Sequence, residues 1–449
     1  MLATPGGRRV DPDGGRAFRR RPGASSDGRA KRCGLQALEL VLSSRCNLGC
    51  SYCYQNAHGT ARLGWETLRV ALDLLLESSS RQLEVVFLGG EPLLEMDLIR
   101  RAIAHVGSRH RRQQRVHFSL STNGLLLDRE AARFLARHRV KVQLSFDGNR
   151  PAQEERAPGT FERLDRLLDR LRREQPAFFR RLRVASTLTS ANLPYLAESV
   201  RYFLAMGVSD LSIAPVVTHD PGWRVGGEEA MARQLVRVYR LCLDHYRRTG
   251  EVPLVLFRRG TAEAQPEAPG ESLCRAGRGR ALAVDVDGQA YACAVFAGSY
   301  QRFPTPFLRD RAERLCMGDI RAADFPRRLE ELPEAARRTG IFHGAEARYS
   351  SYGRCRDCRF LGSCAICPAA IGHIPGNSDP HRVPDFSCAF HRMALTCRER
   401  FPVQPTALQV LTGEVRAYGH WGEAQRRLGV RVEGPFKAPA PSGSGRDRR

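Results

Sequence analysis

Lysine is nearly absent from this chain. Of 71 basic side chains in 449 residues, lysine supplies only Lys31, Lys141 and Lys437. The formal net charge of +23 is therefore almost wholly an arginine charge. A surplus of that size ordinarily points to nucleic acid or another polyanion. Here it reads as compositional bias, because the sequence motifs of nucleic-acid-binding modules are lacking. The ends also carry part of it. Residues 1–32 hold nine basic and three acidic side chains, and 436–449 hold four and one. A nucleic-acid partner is not expected. Long apolar runs are lacking too. No stretch approaches the roughly 18 apolar residues of a membrane span, and no apolar core follows the arginine-rich start. Neither an anchor nor an export signal is indicated, and the expected location is the cytoplasm.

In a reducing compartment the 14 cysteines do not read as a disulfide framework. They read as metal ligands. Cys33, Cys242 and Cys397 stand apart from any group and read as ordinary thiols. The length suits two domains, and a hydrophobic content of 42% suffices for real cores.

Both ends, residues 1–34 and those from about 434 onward, are rich in Gly, Pro, Arg or Ser without apolar period, and are expected to be disordered. Between them, six strand-like runs alternate with amphipathic helical patterns. The strands are ALELVL (37–42), LEVVFLG (83–89), VHFSLST (116–122), VKVQLSFD (140–147), LRVASTLT (182–189) and VSDLSIAP (208–215). Repeated strand–helix units require a parallel sheet with right-handed crossovers, open or rolled into a barrel. Ligands then bind at the carboxyl ends of the strands. The pattern breaks near residue 217. A helical stretch follows, then a link, TAEAQPEAPGES, and from Cys274 onward short strands and turns separate most of the remaining cysteines.

CNLGCSYCY, residues 46–54, comes directly after the first strand and so sits where sites form. It places Cys46, Cys50 and Cys53 at C-x3-C-x2-C spacing. A closed structural site wants four ligands, whereas three leave one iron of a 4Fe–4S cluster open. On spacing alone, zinc completed by His58 or a distant residue also fits. GGEP (89–92) follows the second strand, STNG (121–124) the third, and LSFDG (144–148) ends the fourth.

These four motifs, in this order, resemble the radical S-adenosylmethionine (SAM) enzymes. The resemblance implies an α/β fold, a partial (β/α)6 barrel over residues 35–220. It also implies a 4Fe–4S cluster on Cys46, Cys50 and Cys53, whose open iron chelates SAM and whose electron cleaves it to a 5'-deoxyadenosyl radical. Tyr52, Gly89, Gly90 and Glu91 would then serve SAM binding, with Glu91 and the glycine backbone at its ammonium. Asn123, Ser145 and Arg156 would reach ribose or carboxylate. The alternative for Arg156 is a solvated charge at a helix start.

Further on, CRDCRFLGSCAIC carries Cys355, Cys358, Cys364 and Cys367, with Cys388 beyond and Cys274 and Cys293 before. Taken alone, the C-x2-C-x5-C-x2-C run reads as a zinc ribbon. Beside the other motifs it resembles the SPASM extension of certain radical SAM enzymes, here 271–400, joined by a helical linker (221–270) and followed by an extension (401–449). That resemblance implies two auxiliary 4Fe–4S clusters. Cys355, Cys358, Cys364 and Cys388 would hold one, and Cys274, Cys293 and Cys367 the other. The last spacing is one residue shorter than usual in the family. A fourth cysteine between Cys274 and Cys293 is missing, which leaves an open iron or a role for Cys316. The aspartate that acts as base in sulfatase-maturating relatives is replaced by Ala294, so no general base is assigned. Asp285 and Asp287, in DVDG, read as a turn.

The implied activity is modification of a ribosomally made peptide by hydrogen abstraction, leading to a crosslink or other oxidative change. The implied partners are that peptide or protein, either presented by a separate leader-binding protein or recognised by the catalytic domains themselves, and a flavodoxin- or ferredoxin-type electron donor. Two alternatives stand beside it: a sulfatase or cofactor-precursor maturase of the same superfamily, and a zinc-bearing binding protein.

Overall fold

The computed structural model describes residues 34–258 and 274–402, apart from 56, 303–305, 339, 343, 365, 373–376 and 378. The tails expected to be disordered and the TAEAQPEAPGES link lie outside the described residues, save for Gly34.

Six strand–helix repeats build the first half. They run β1 (Ala37–Val41), α1 (Trp65–Leu76), β2 (Gln82–Leu88), α2 (Met96–Arg109), β3 (Arg115–Thr122), α3 (Arg129–Arg137), β4 (Lys141–Ser145), α4 (Arg150–Arg156), α5 (Phe161–Glu174), α6 (Pro176–Phe179), β5 (Arg183–Leu188), α7 (Leu196–Met206) and β6 (Leu211–Pro215). The strands alternate between faces. In β2, Leu83, Val85 and Phe87 are buried and pack in the main core, while Glu84, Val86 and Leu88 turn to the other side. The helices present matching stripes, such as Leu68, Ala71, Leu72 and Leu75 of α1, all fully buried. Burial of each such leucine contributes about 1.5–3 kcal/mol. The sequence reading assigns no helix to α2, although Leu98, Ile99, Ala102, Ile103 and Val106 form its buried stripe at helical spacing.

All neighbouring pairs from β1 to β6 are parallel, and the sheet order is β6-β5-β4-β3-β2-β1. The sheet then continues across the region that the sequence assigns to a linker and a cysteine-rich part. α8 (Glu228–Thr249) buries Met231, Leu235, Val238 and Cys242, so it is a packed element of the core. β7 (Ala281–Val284) adds parallel to the free side of β1, Ala37 opposite Ala281. β8 (Gln289–Tyr291) and β9 (Cys316–Asp319) follow antiparallel. DVDG is the turn between β7 and β8: the Gly288 amide donates to the Asp285 carbonyl at 3.0 Å. α9 (Pro306–Arg314), α10 (Phe325–Glu330), α11 (Leu332–Arg338), the short pair β10 (Tyr349–Ser350) and β11 (Gly353–Arg354), and α12 (Asp385–Arg400) complete the chain. The long α12 carries Cys388 where the sequence suggested only short strands and turns. Among the described residues, no helix is long and apolar enough to cross a membrane.

Candidate active site

The loop after β1 is closed at its base before it reaches the cysteines. Leu63 donates to Leu42 at 2.9 Å and Ser44 to Ala61 at 3.0 Å, and an antiparallel bridge joins Ser43 to Arg62. The buried Glu95 carboxylate ties the loop down through Arg45 at 2.6 Å and through Arg62. The GGEP turn grips the same segment. Gly90 donates to the Ser43 carbonyl at 3.0 Å and Glu91 to the Arg45 carbonyl at 2.9 Å. A Cβ on Gly90 would lie 2.2 Å from the Arg45 oxygen, and one on Gly89, at φ +140°, 2.6 Å from that of Ser43. The glycines are thus needed for backbone against backbone.

Glu91 is 1% exposed. Its carboxylate accepts from Thr122 Oγ1 at 2.6 Å, the Asn123 amide at 2.8 Å and the Leu93 amide at 3.1 Å, which joins GGEP to STNG. Burial nevertheless raises its pKa, against these hydrogen bonds and the charge of Arg156, which lower it. Asn123 gives its side-chain amide to Asn47, inside the cysteine loop, at 2.7 Å, and its oxygen accepts from the Leu125 amide. Asn47 is a contact that the sequence reading missed.

Arg156 is the last residue of α4 and its side chain is only 11% exposed. The solvated alternative therefore falls. Its Nη1 reaches Tyr52 Oη at 3.1 Å and Asp147 Oδ1 at 3.2 Å, and the Tyr52 hydroxyl donates to Asp147. Asp147, the aspartate of LSFDG, also accepts the Thr187 amide at 2.8 Å. Ser51 adds a bond to the Glu155 carbonyl at 2.7 Å, so the cysteine loop is pinned to α4. Among the described residues the buried Nε of Arg156 has no hydrogen-bond partner, and the residue lines the central cavity.

That cavity, about 950 Å³, runs from the cysteine loop down the barrel. Cys46, Cys50, Cys53, Tyr52, Gly89, Gly90, Glu91, Asn123, Ser145 and Arg156 all line it. Burial pushes the Cys46 and Cys53 thiols up, and the neighbouring Cys50 adds to both. Three thiols, a buried carboxylate and an orphaned guanidinium nitrogen on one cavity suit an iron–sulfur cluster with SAM. His58 Nε2 comes to 3.8 Å from Cys53 Sγ. Among the described residues, no three His, Cys, Asp or Glu donors are gathered as a single metal ion would need.

The remaining thiols fall into two further groups. Cys364, pushed up to about 11 by burial, also feels Cys388, Cys355 and Cys358. Cys293, well above its ordinary value through burial, feels Cys367 and Cys274. Cys367 also acts on Arg348 together with Cys355 and Cys364. Cys316 Sγ instead faces Gln289 Oε1 at 3.7 Å. Tyr54, next to Cys53 in sequence, meets Tyr300, with hydroxyls 3.0 Å apart and rings edge to face at 5.6 Å. Glu39 of β1 accepts the Ala294 amide at 3.1 Å. Neither this pair nor Glu39 was legible from motif spacing.

Parallel strands with three thiols after the first of them, followed by a cysteine-rich region, form an α/β fold of the radical SAM type. Residues 40–182 match the Radical SAM superfamily, whose chemistry uses a 4Fe–4S cluster and SAM. An uncharacterised protein of Methanocaldococcus jannaschii is 30% identical over 185 residues, 40% of this chain and 62% of that protein. A cysteine-type anaerobic sulfatase-maturating enzyme of Clostridium perfringens is 25% identical over 182 residues, 38% of this chain and 48% of the enzyme. The chain thus spans about half the length of these curated relatives. In fold it is similar to native anSMEcpe with bound AdoMet and Kp18Cys peptide, with a TM-score of 0.61 over 81% of this chain and 97% of that one, at 16% identity.

Proposed function

We propose that the protein is a radical SAM/SPASM maturase that modifies a ribosomally made peptide, leading to a crosslink or other oxidative change. The observation that carries this reading is the joint cavity. Three thiols and Glu91 open on about 950 Å³, room for a nucleoside together with a peptide side chain. When bound, the cluster supplies the electron that cleaves SAM to a 5'-deoxyadenosyl radical. Glu91 holds the SAM ammonium by a charge-assisted contact. The free Nε of Arg156 serves its carboxylate or ribose, beside Asn123 and Ser145. Tyr52, locked to Asp147, keeps the loop in place. Cys355, Cys358, Cys364 and Cys388, and Cys274, Cys293 and Cys367, would hold auxiliary 4Fe–4S clusters, which would supply an acceptor for the second electron. A flavodoxin- or ferredoxin-type donor reduces the first, and a separate protein presents the peptide leader. The arginine surplus attracts an acidic leader, so leader binding weakens with salt.

The similarity to a sulfatase-maturating enzyme supports protein or peptide as the substrate class. Maturation of a sulfatase itself is a narrower reading, and the alanine at position 294 does not favour it. The test is anaerobic reconstitution with iron, sulfide and zinc counted. About 12 irons, falling to about eight when Cys46, Cys50 and Cys53 are changed to alanine, fits three cubane clusters. Zinc without sulfide overturns the reading in favour of a binding protein.

A further inference from the structure

The cavity does not end at the thiols and Glu91. Its lining continues to the amino ends of the strands, where Glu84, Ser119, Lys141, Arg181, Arg183 and Asp210 stand. Alternation along the strands brings them there. On β4, Val142 and Leu144 pack in the core, which turns Lys141, Gln143 and Ser145 to the cavity. On β5, Arg183, Ala185 and Thr187 face the same way, with Gln143 and Arg183 paired in register. Lys141 lies opposite Ser119 of β3. Lys141 and Arg181 are exposed as well as cavity-lining, so the cavity reaches solvent at this end.

The charge at this end is unbalanced. Both carboxylates are already met: Glu84 by Arg275 at 2.5 Å and the Ser119 hydroxyl at 3.1 Å, Asp210 by Arg258 at 3.0 Å and Arg183 at 3.1 Å. Lys141 and Arg181 are left over. Among the described residues neither forms an ion pair; Arg181 donates to the Ala136 carbonyl at 3.4 Å, and Lys141 acts on Glu84 only through space. Arg115, on the same face of β3 as Ser119, adds a third exposed cation nearby. Lys141 is also the one lysine among the described residues, in a chain whose basic charge is otherwise arginine. A bias toward arginine explains neither a lysine at this place nor cavity-lining cations that lack carboxylates. Such a wall is complementary to an anion.

We propose that this inner end of the cavity binds the carboxylate of an acidic residue in the peptide substrate, met by Lys141 and Arg181. This rests on the reading that the protein acts on a peptide, and it adds one located site to the diffuse attraction of the arginine surplus. The proposed function places Ser145, at the other end of β4, beside the cofactor. From Lys141 to Ser145 the strand rises about 13 Å, at roughly 3.3 Å per residue. An extended peptide covers that span in about four residues, so the acidic residue stands about three or four positions from the one that is modified. Charge at the inner end then sets the register of the substrate.

The test uses the full chain, reconstituted with iron and sulfide, and fluorescein-labelled hexaglutamate as the probe. Binding is read by fluorescence anisotropy at about 0.15 M salt, where exposed charges are screened beyond roughly 8 Å. On the unaltered protein, acetylation of Lys141 by acetic anhydride is also followed by mass spectrometry, with Lys31 and Lys437 as internal standards. The expected result is binding that weakens about tenfold or more in the double variant Lys141→Gln, Arg181→Gln. The double variant Arg172→Gln, Arg173→Gln removes the same charge from exposed positions of α5 and should weaken it by less than about twofold. Hexaglutamate should slow acetylation of Lys141 and leave that of Lys31 and Lys437 unchanged. No binding, equal weakening in the two double variants, or no protection of Lys141 overturns the proposal. Equal protection by inorganic phosphate or by oligothymidylate overturns it too, in favour of a phosphate site. A parent that takes up neither iron nor sulfide overturns the proposed function itself, a result distinct from these and read on the same samples.

Discussion

Gly90 carries a constraint that is purely steric. A methyl at that position must displace the Arg45 carbonyl or the Cys46 Cβ, 2.9 Å away, and with it the first ligand. Gly90→Ala is expected to cost at least about 1–3 kcal/mol, the usual price of backbone strain at a site. Its clearer mark is the loss of about four irons on reconstitution. Glu91 acts by charge. Under the proposed function, Glu91→Gln keeps the shape but removes the charge that would meet the SAM ammonium, and a hydrogen bond to a charged group contributes about 1.5–3 kcal/mol. Titration calorimetry of the reconstituted protein should show SAM binding weakened by about 10–100-fold. An unchanged affinity would take Glu91 out of the cofactor site.

At the scale of elements, α4 and the cysteine loop form one unit through Asp147, Tyr52 and Arg156. Asp147→Asn leaves the Arg156 guanidinium buried without its counter-ion, and breaking such a pair costs about 3–5 kcal/mol. Thermal unfolding would register this, whereas a shift no larger than that of a surface substitution would mean the pair is not stabilising. α12 brings a pH dependence. Burial depresses the pKa of His391 below its ordinary 6.5, although the Ser387 carbonyl opposes this. His245 of α8 is depressed in the same way, with Nε2 unpartnered. A base whose folded pKa is lowered stabilises the fold fully above its unfolded pKa, and the contribution is lost as pH falls below it. Melting temperature is therefore expected to fall below about pH 6.5, with a shallower slope in His391→Gln. Elements differ in how far the sequence shows them. The six strands were legible because alternation such as Leu83, Val85 and Phe87 is dictated by burial of one face. β7 was not, since ALAV pairs with β1 across more than two hundred residues and nothing local announces that partner.

In the whole molecule, three thiol groups are set around one sheet. GGEP and the first cysteine motif were legible because a buried carboxylate and a loop lining a cavity at a strand end need fixed residue types. The Tyr54–Tyr300 bridge, Asn47 and Glu39 were not, because each meets its partner through tertiary contact. Burial pushes the Cys46, Cys53, Cys293 and Cys364 thiols up, so iron loading at these thiols, as the proposed function requires, must release protons. Iron uptake at limiting iron is expected to rise from pH 6 to pH 8 by the measure of bound iron per chain, in roughly the range where metal sites show this linkage. The most direct test of the central claim is reductive cleavage of SAM itself. The anaerobically reconstituted protein, given dithionite and SAM, should release 5'-deoxyadenosine, and the protein with Cys46, Cys50 and Cys53 changed to alanine should release none. Loss in that variant with intact auxiliary clusters is the expected result; equal release from both proteins, or none from the fully loaded native one, would contradict it.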